Sequence, residues 1–220
     1  MPFVNQGGSA DVEYLSDGMT ETLISSLTQL PDLAVKPRSS VFRYKGKDTD
    51  AKTVGKELNV AAILNGTIVQ RGSEMALHVE LIDTANETLL WSTDYKRPLA
   101  DLVALQSEIT RDVVDKLKIK LNSTDEQKLA KNYTENAEAY QLYMQGRYFL
   151  NKAASNNDIE TSIEYFQKAI AIDPSYARAY SGLADAYSLN VLGSNRERMA
   201  KARSAALKAL SLDDGLAEAH

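Results

Sequence analysis

A phrase recurs at a fixed interval in the second half of this chain. Ala137-Glu138-Ala139-Tyr140, Ala177-Arg178-Ala179-Tyr180 and Ala217-Glu218-Ala219-His220 begin 40 residues apart. Inside each unit a second phrase repeats with the same step: Lys168-Ala169-Ile170-Ala171-Ile172-Asp173-Pro174, then Lys208-Ala209-Leu210-Ser211-Leu212-Asp213-Asp214. A period of this length marks a helical repeat array, in which each unit buries its apolar face by stacking on a neighbour. Residues 137–220 are therefore expected to be all-α, with units at 137–176 and 177–216 and a truncated third from 217. That third unit runs for only four residues, and Met1-Pro2-Phe3-Val4 reads as the tail of a strand. Both ends give the expectation of a fragment of a longer polypeptide.

The first half has a different pattern. Phe3-Val4 closes a strand and Asn5-Gln6-Gly7-Gly8-Ser9 turns the chain. From Ser16 or Asp17 a helix carries Met19, Leu23, Leu27 and Leu30 on one stripe, and Pro31-Asp32 ends it. Leu33-Ala34-Val35-Lys36 then reads as a short strand parallel to the first. Asp50 is placed to cap a helix through Leu58. Three strand-like runs follow, Ile63 to Gln70, Met75 to Ile82 and Leu89 to Tyr95. The turns at Arg71–Glu74 and Asp83–Glu87 make them an antiparallel meander. After Pro98 a helical stripe runs from Leu102 to Leu121. The expected architecture is a mixed α/β domain at 1–121, a polar linker at 122–136 and an all-α repeat array at 137–220.

Composition excludes several functions. The net charge is −5, and no apolar run approaches the length needed to cross a bilayer. With no cysteine and only His78 and His220 as histidines, neither a thiolate nor a histidine metal site is expected. There is no G-x-x-x-x-G-K-[ST] loop, no G-x-G-x-x-G and no kinase catalytic loop, so no cofactor and no catalytic residue is assigned. His78 reads as a solvated strand residue. The sharpest charge feature is Lys36, Arg38, Arg43, Lys45, Lys47, Lys52 and Lys56. Ligands of α/β sheets favour the carboxyl ends of parallel strands. That edge would gather Asn5, Arg38, Ser39 and Ser40 near a helix amino terminus, which makes them a candidate anion site. The competing reading is a solvated basic face anchored by Phe42 and Tyr44. Nucleic acid is not an expected partner of so acidic a chain.

The repeats resemble tetratricopeptide repeats. Tyr143, Met144 and Gly146 of the first unit, with Ser162, Phe166 and Ala169, stand at that family's packing positions. So do Tyr180, Leu183, Ala184 and Tyr187, with Ala202, Ala206, Ala209 and Leu212, of the second. Each unit is longer than the usual 34 residues, with the excess between its helices, and Asp214 replaces the usual proline. In this family the first helix of each unit lines a peptide-binding groove. The resemblance places Glu138, Gln141, Gln145 and Tyr148, then Arg178, Ser181, Asp185 and Ser188, on that groove. The competing role for two repeats is to prop the first domain or to let the chain form a homodimer.

Four phrases of the first half resemble the TolB-like amino-terminal domain: Pro2-Phe3-Val4-Asn5, Tyr14-Leu15-Ser16-Asp17-Gly18-Met19-Thr20-Glu21, Arg38 to Lys47 and Leu64-Asn65-Gly66-Thr67. Leu90-Trp91-Ser92 to Tyr95, followed by Leu105 to Ile109, extends the likeness. Such domains precede tetratricopeptide repeats in bacterial signalling proteins whose amino-terminal partner is a Ser/Thr protein kinase, an adenylate cyclase or a winged-helix regulator. Val41 to Lys47 and Tyr133 to Tyr143 look most like the kinase-linked form, which implies an extracytoplasmic location, with the cytoplasm as the alternative. The resemblance implies a non-catalytic sensor or scaffold that binds a protein or peptide. The rival is a sensor of a small anionic ligand, a metabolite or wall fragment. Any kinase or cyclase activity would lie in a separate amino-terminal part.

Overall fold

The computed structural model describes residues 1–8, 12–123, 125–126, 134–153, 155–189 and 196–216. The chain divides into two compact units, Met1–Asn132 and Tyr133–His220. The expected third repeat from Ala217, most of the expected linker and residues 190–195 lie outside the described residues.

The first unit is built on a four-stranded sheet in the order β1 (Val4–Asn5), β2 (Ala62–Arg71), β3 (Glu74–Asp83), β4 (Thr88–Pro98). β2, β3 and β4 form the expected antiparallel meander, with Ile68 opposite Leu77 and Leu77 opposite Tyr95. Alternation then puts Met75, Leu77, Val79 and Leu81 on one buried face. β1 pairs with β2 in parallel, Val4 opposite Thr67. Gly66 is required at the crossing between them, because a Cβ there would lie 2.6 Å from the Phe3 ring.

Helices α1 (Glu13–Thr28), α2 (Arg38–Val41), α3 (Ala51–Leu58) and α4 (Leu102–Lys116) belong to the same unit. α1 buries Leu15, Met19, Leu23 and Leu27, and α4 buries Leu105, Ile109 and Val113. Asp50 caps α3 as expected, accepting from the Thr53 amide at 2.7 Å. Three expectations are corrected. α1 begins at Glu13, ahead of Ser16. Leu33–Lys36 joins no ladder among the described residues; the parallel neighbour of β1 is β2, reached after α1, α2 and α3. α4 stops at Lys116, short of Leu121, because Lys118 turns left-handed (φ 55°) and the Ile119 amide returns to the Val114 carbonyl at 3.2 Å.

Among the described residues the second unit holds two helix pairs, α5 (Ala137–Lys152) with α6 (Asn156–Ile172), and α7 (Ala177–Ser188) with α8 (Arg196–Leu212). The 40-residue step carries α6 onto α8 at both ends. The turns after them also match. Asp173 and Asp213 each close their helix by donating an amide to the Ala169 or Ala209 carbonyl, both at 2.9 Å. Their carboxylates accept from the Ser175 amide at 2.9 Å and the Gly215 amide at 3.1 Å. The turn needs the aspartate at its first position, so Asp214 replaces Pro174 without changing its form. Phe166 fills the centre, flanked by Gly146 of α5 and Gly182 of α7; a Cβ on either would sit 2.6 Å from its ring. Tyr143 lies 5.9 Å from Phe166 and 5.3 Å from Tyr176 between ring centroids. Leu212, expected in the packing of its unit, is 36% exposed at the end of α8.

Candidate functional site

In the second unit, first helices α5 and α7 lie in contact. Arg147 of α5 donates to Asp185 Oδ2 of α7 at 2.8 Å, which ties the two helices across the repeat boundary. Beside that bridge Glu138 and Ser188 are exposed, and Gln141, Gln145, Tyr148 and Asp185 are half-buried. Arg178 and Ser181 are only 5% and 3% exposed. Of the expected groove residues, these two are thus the least accessible. On α7 they fall on the stripe that leads to Asp185, and packing closes over that stripe. Arg147 was missed, because nothing in the spacing of one helix reveals a partner on another.

In the first unit the basic loop meets an acidic stripe that the sequence reading did not pair with it. Glu13, Asp17 and Glu21 stand at i, i+4 and i+8 on α1. Lys45 Nζ lies 2.6 Å from Glu13 Oε1 and 2.5 Å from Asp17 Oδ1, and Arg38 Nε lies 3.5 Å from Glu21 Oε2. The Arg38 guanidinium also stacks 3.7 Å over the Phe42 ring. Burial pushes the Asp17 carboxyl above its ordinary value, and the bond from Lys45 offsets part of that rise. Burial opposes the charge on Lys45, but its bonds to Asp17 and Glu13 outweigh this and raise the ammonium.

Arg38 of the candidate anion site already has a carboxylate partner. Arg38 is engaged by Glu21, Ser39 is exposed, Ser40 is half-buried and Asn5 Oδ1 accepts from the Gly7 amide at 3.1 Å. An arriving anion would have to displace carboxylates already in place. Phe42 is half-buried and Tyr44 is 6% exposed, so both anchor the loop. The Tyr44 hydroxyl donates to Glu57 and accepts from Arg43.

His78 stands on the sheet with its side chain 40% exposed, Nδ1 at 2.9 Å from Asp94 and Nε2 at 3.3 Å from Glu80. Among the described residues no group of His, Asp and Glu is arranged to hold a metal ion, and no helix is long and apolar enough to cross a membrane.

The first unit also contains a pocket of about 490 Å³ that the sequence reading did not foresee. Leu23, Ile24 and Leu27 of α1, the Leu33–Lys36 segment, Ala62–Leu64 of β2, and Val113 with Leu117 line it. Its lining is mostly apolar, with Thr20, Lys36 and Asn59 among it. The Met1 amine donates to the Leu64 carbonyl at 2.7 Å, and burial lowers its pKa to about 5.

Residues 1–112, half of the chain, match the second domain of the HilA/YgeH-like transcriptional regulators. The chain belongs to that family. Residues 151–190, from the end of α5 through α6 and α7, match a tetratricopeptide repeat. A curated relative, putative adenylate cyclase 3 of Rhizobium meliloti (strain 1021), is 31% identical over 184 residues. That alignment takes in 84% of this chain, which spans 31% of the relative's length. Among solved structures, lipoprotein GNA1162 from Neisseria meningitidis shares 16% identity over 52% of this chain and 95% of its own, with a TM-score of 0.40. So low a score carries no argument. Neither the HilA/YgeH-like domain nor the repeat is a catalytic module, and a tetratricopeptide repeat array points to protein partners.

Proposed function

We propose that the chain is a non-catalytic sensor or scaffold region of a larger bacterial signalling protein, and that its repeats bind a protein or peptide across α5 and α7. In this reading residues 1–121 are a TolB-like form of the HilA/YgeH-like domain, 122–136 link it to the array, and the repeats occupy 137–176, 177–216 and onward from 217. The catalytic part is a separate Ser/Thr kinase or cyclase domain. The name of the Rhizobium relative supports the cyclase version, and phrases such as Val41 to Lys47 support the kinase version. The extracytoplasmic location belongs to the kinase version alone.

One observation carries the proposal. The Arg147–Asp185 bridge fixes two first helices side by side, and Gln141, Gln145 and Tyr148 stand half-exposed next to it. Polar groups with partial exposure on rigid elements suit recognition of a peptide backbone. A homodimer through the same helices is the rival occupant.

A peptide array read against the whole chain tests this. Bound peptides should lose affinity at least tenfold on Gln145→Lys or Tyr148→Ala, and keep it on Arg43→Ala at the exposed basic loop. Binding insensitive to Gln145 and Tyr148 would overturn the assignment. So would a concentration-dependent dimer in sedimentation that Tyr148→Ala dissolves.

A further inference from the structure

Several polar groups along the pocket of the first unit already have partners within the fold. Met1–Phe3 lies along β2, with the Met1 amine on the Leu64 carbonyl at 2.7 Å and the Phe3 ring over Gly66. Thr20 Oγ1 accepts from the Phe3 amide at 2.9 Å and donates to the Ser16 carbonyl at 2.7 Å. Thr84 serves the Val60–Ala61 segment, its hydroxyl on the Val60 carbonyl at 2.6 Å and its amide on the Ala61 carbonyl at 3.0 Å. A peptide backbone would find these groups taken. The pocket offers apolar surface instead, from Leu23, Ile24 and Leu27 of α1, Ile63 of β2, and Leu58 with Leu117.

Lys36 differs from the groups around it. Among the described residues that line the pocket it is the one charged side chain, and no Asp or Glu stands with it. It is half-buried, and no carboxylate among the described residues pairs with it. Its neighbours in the basic run are already engaged, Arg38 by Glu21 and Lys45 by Glu13 and Asp17. Asn59 is exposed and uncharged. A half-buried ammonium gains from an anion placed beside it. An apolar chain laid along the pocket leaves water and makes dispersion contacts with its walls. The volume of about 490 Å³ falls within the range of about 300–1,000 Å³ that small-molecule sites occupy.

We propose that this pocket binds a fatty carboxylate, its single apolar chain among Leu23, Ile24, Leu27 and Leu117 and its carboxylate on Lys36. One lysine meets one negative charge. That balance favours a carboxylate over a phosphate monoester, which carries about −1.5 to −2 at neutral pH. The site lies within the first unit and goes beyond the peptide reading of the repeats, because it gives the first unit a ligand of its own.

The probe is dodecanoate, titrated into the whole chain below micelle formation and followed by methyl NMR and by Tm. Shifts should centre on Ile24, Ile63 and Leu117, and Tm should rise. Lys36→Met should keep the parent Tm without ligand and weaken dodecanoate at least tenfold. Dodecanol, the same chain without the charge, should bind that variant no more weakly than the parent. Lys52→Met, at an exposed lysine outside the pocket, should leave dodecanoate binding unchanged. Dodecanoate binding that Lys36→Met does not weaken would overturn the proposal. So would a lower Tm of Lys36→Met without ligand, which would mean that Lys36 already has a partner. Shifts centred on Leu150 and Ile163 of the second unit would mark detergent adsorption and overturn it as well. Tighter binding of dodecyl phosphate than of dodecanoate would overturn the choice of head group. Peptide binding through Gln145 and Tyr148 should be the same in Lys36→Met, so the two readings fail separately.

Discussion

Phe166 is held between two glycines of neighbouring helices, and this arrangement makes a quantitative prediction. In Gly146→Ala or Gly182→Ala the new Cβ would meet the ring at 2.6 Å. Overpacking of a close-packed core costs about 1–3 kcal/mol. Alanine in place of glycine inside a helix returns about 1 kcal/mol through propensity. The net is then a loss of up to about 2 kcal/mol in each variant. Phe166→Leu removes the ring edge that the methyl would strike, so in that background either alanine should be neutral or stabilising. The double-mutant cycle should then show a favourable coupling of about 1 kcal/mol or more. The assay is urea unfolding of the whole chain followed by far-UV circular dichroism. Trp91 fluorescence serves as a separate probe, because the single tryptophan lies on β4 in the first unit. Stabilisation by about 1 kcal/mol in the parent background would refute the reasoning, since only helix propensity would then be acting. A coupling near zero would place the ring away from both glycines.

Three further outcomes follow from the charged groups. Lys45→Met should destabilise the first unit by about 1–3 kcal/mol, because it removes bonds to the half-buried Glu13 and the nearly buried Asp17; an unchanged urea midpoint would show that the two carboxylates need no partner. At Asp173 burial raises the carboxyl, but the bonds from Ser175 and Thr134 outweigh it and hold the group below its ordinary value. Its contribution is therefore present above pH 3.8 and lost as pH falls through the folded value, so Asp173→Asn should flatten the acid limb of the stability curve. The bonds to Asp94 and Glu80 raise His78 above its ordinary value. Its contribution is complete below pH 6.5 and lost as pH rises through the folded value. NMR titration should give a value above 6.5 that Asp94→Asn lowers, and a titration at or below 6.5 would exclude the pairing.

What could be read from the sequence was what is carried locally. The 40-residue step was legible because α6 and α8 share their bounds and the Asp173 and Asp213 turns repeat the same bonds. The meander was legible because turns at Gly72 and Asp83 separate runs whose alternation matches one buried face. Leu33–Lys36 shows the opposite case. Its composition suits a strand, but a strand exists only where another supplies hydrogen bonds, and among the described residues none does. The end of α4 was misread for a related reason. The apolar spacing continues to Leu121, while the left-handed turn at Lys118 is decided by backbone geometry that spacing does not encode.

The charged surface was misread because charges were taken one segment at a time. Lys36 to Lys56 stood out as a basic run, and Glu13, Asp17 and Glu21 did not stand out as a stripe until α1 was known to begin at Glu13. Starting that helix at Ser16 leaves Glu13 outside it and halves the acid available to Lys45. With the true start, the three carboxylates fall on one helix face and meet the loop that follows. The apparent anion site thus becomes a clasp between α1 and the Arg38–Lys47 loop. The same logic applies to the repeats. Arg178 looked like a groove residue by its place on the first helix of its unit, yet it is 5% exposed, while Arg147 of the neighbouring first helix pairs with Asp185. In both units the charges left free at the surface depend on which ones the fold has already paired, and those pairs stand 28 and 38 residues apart.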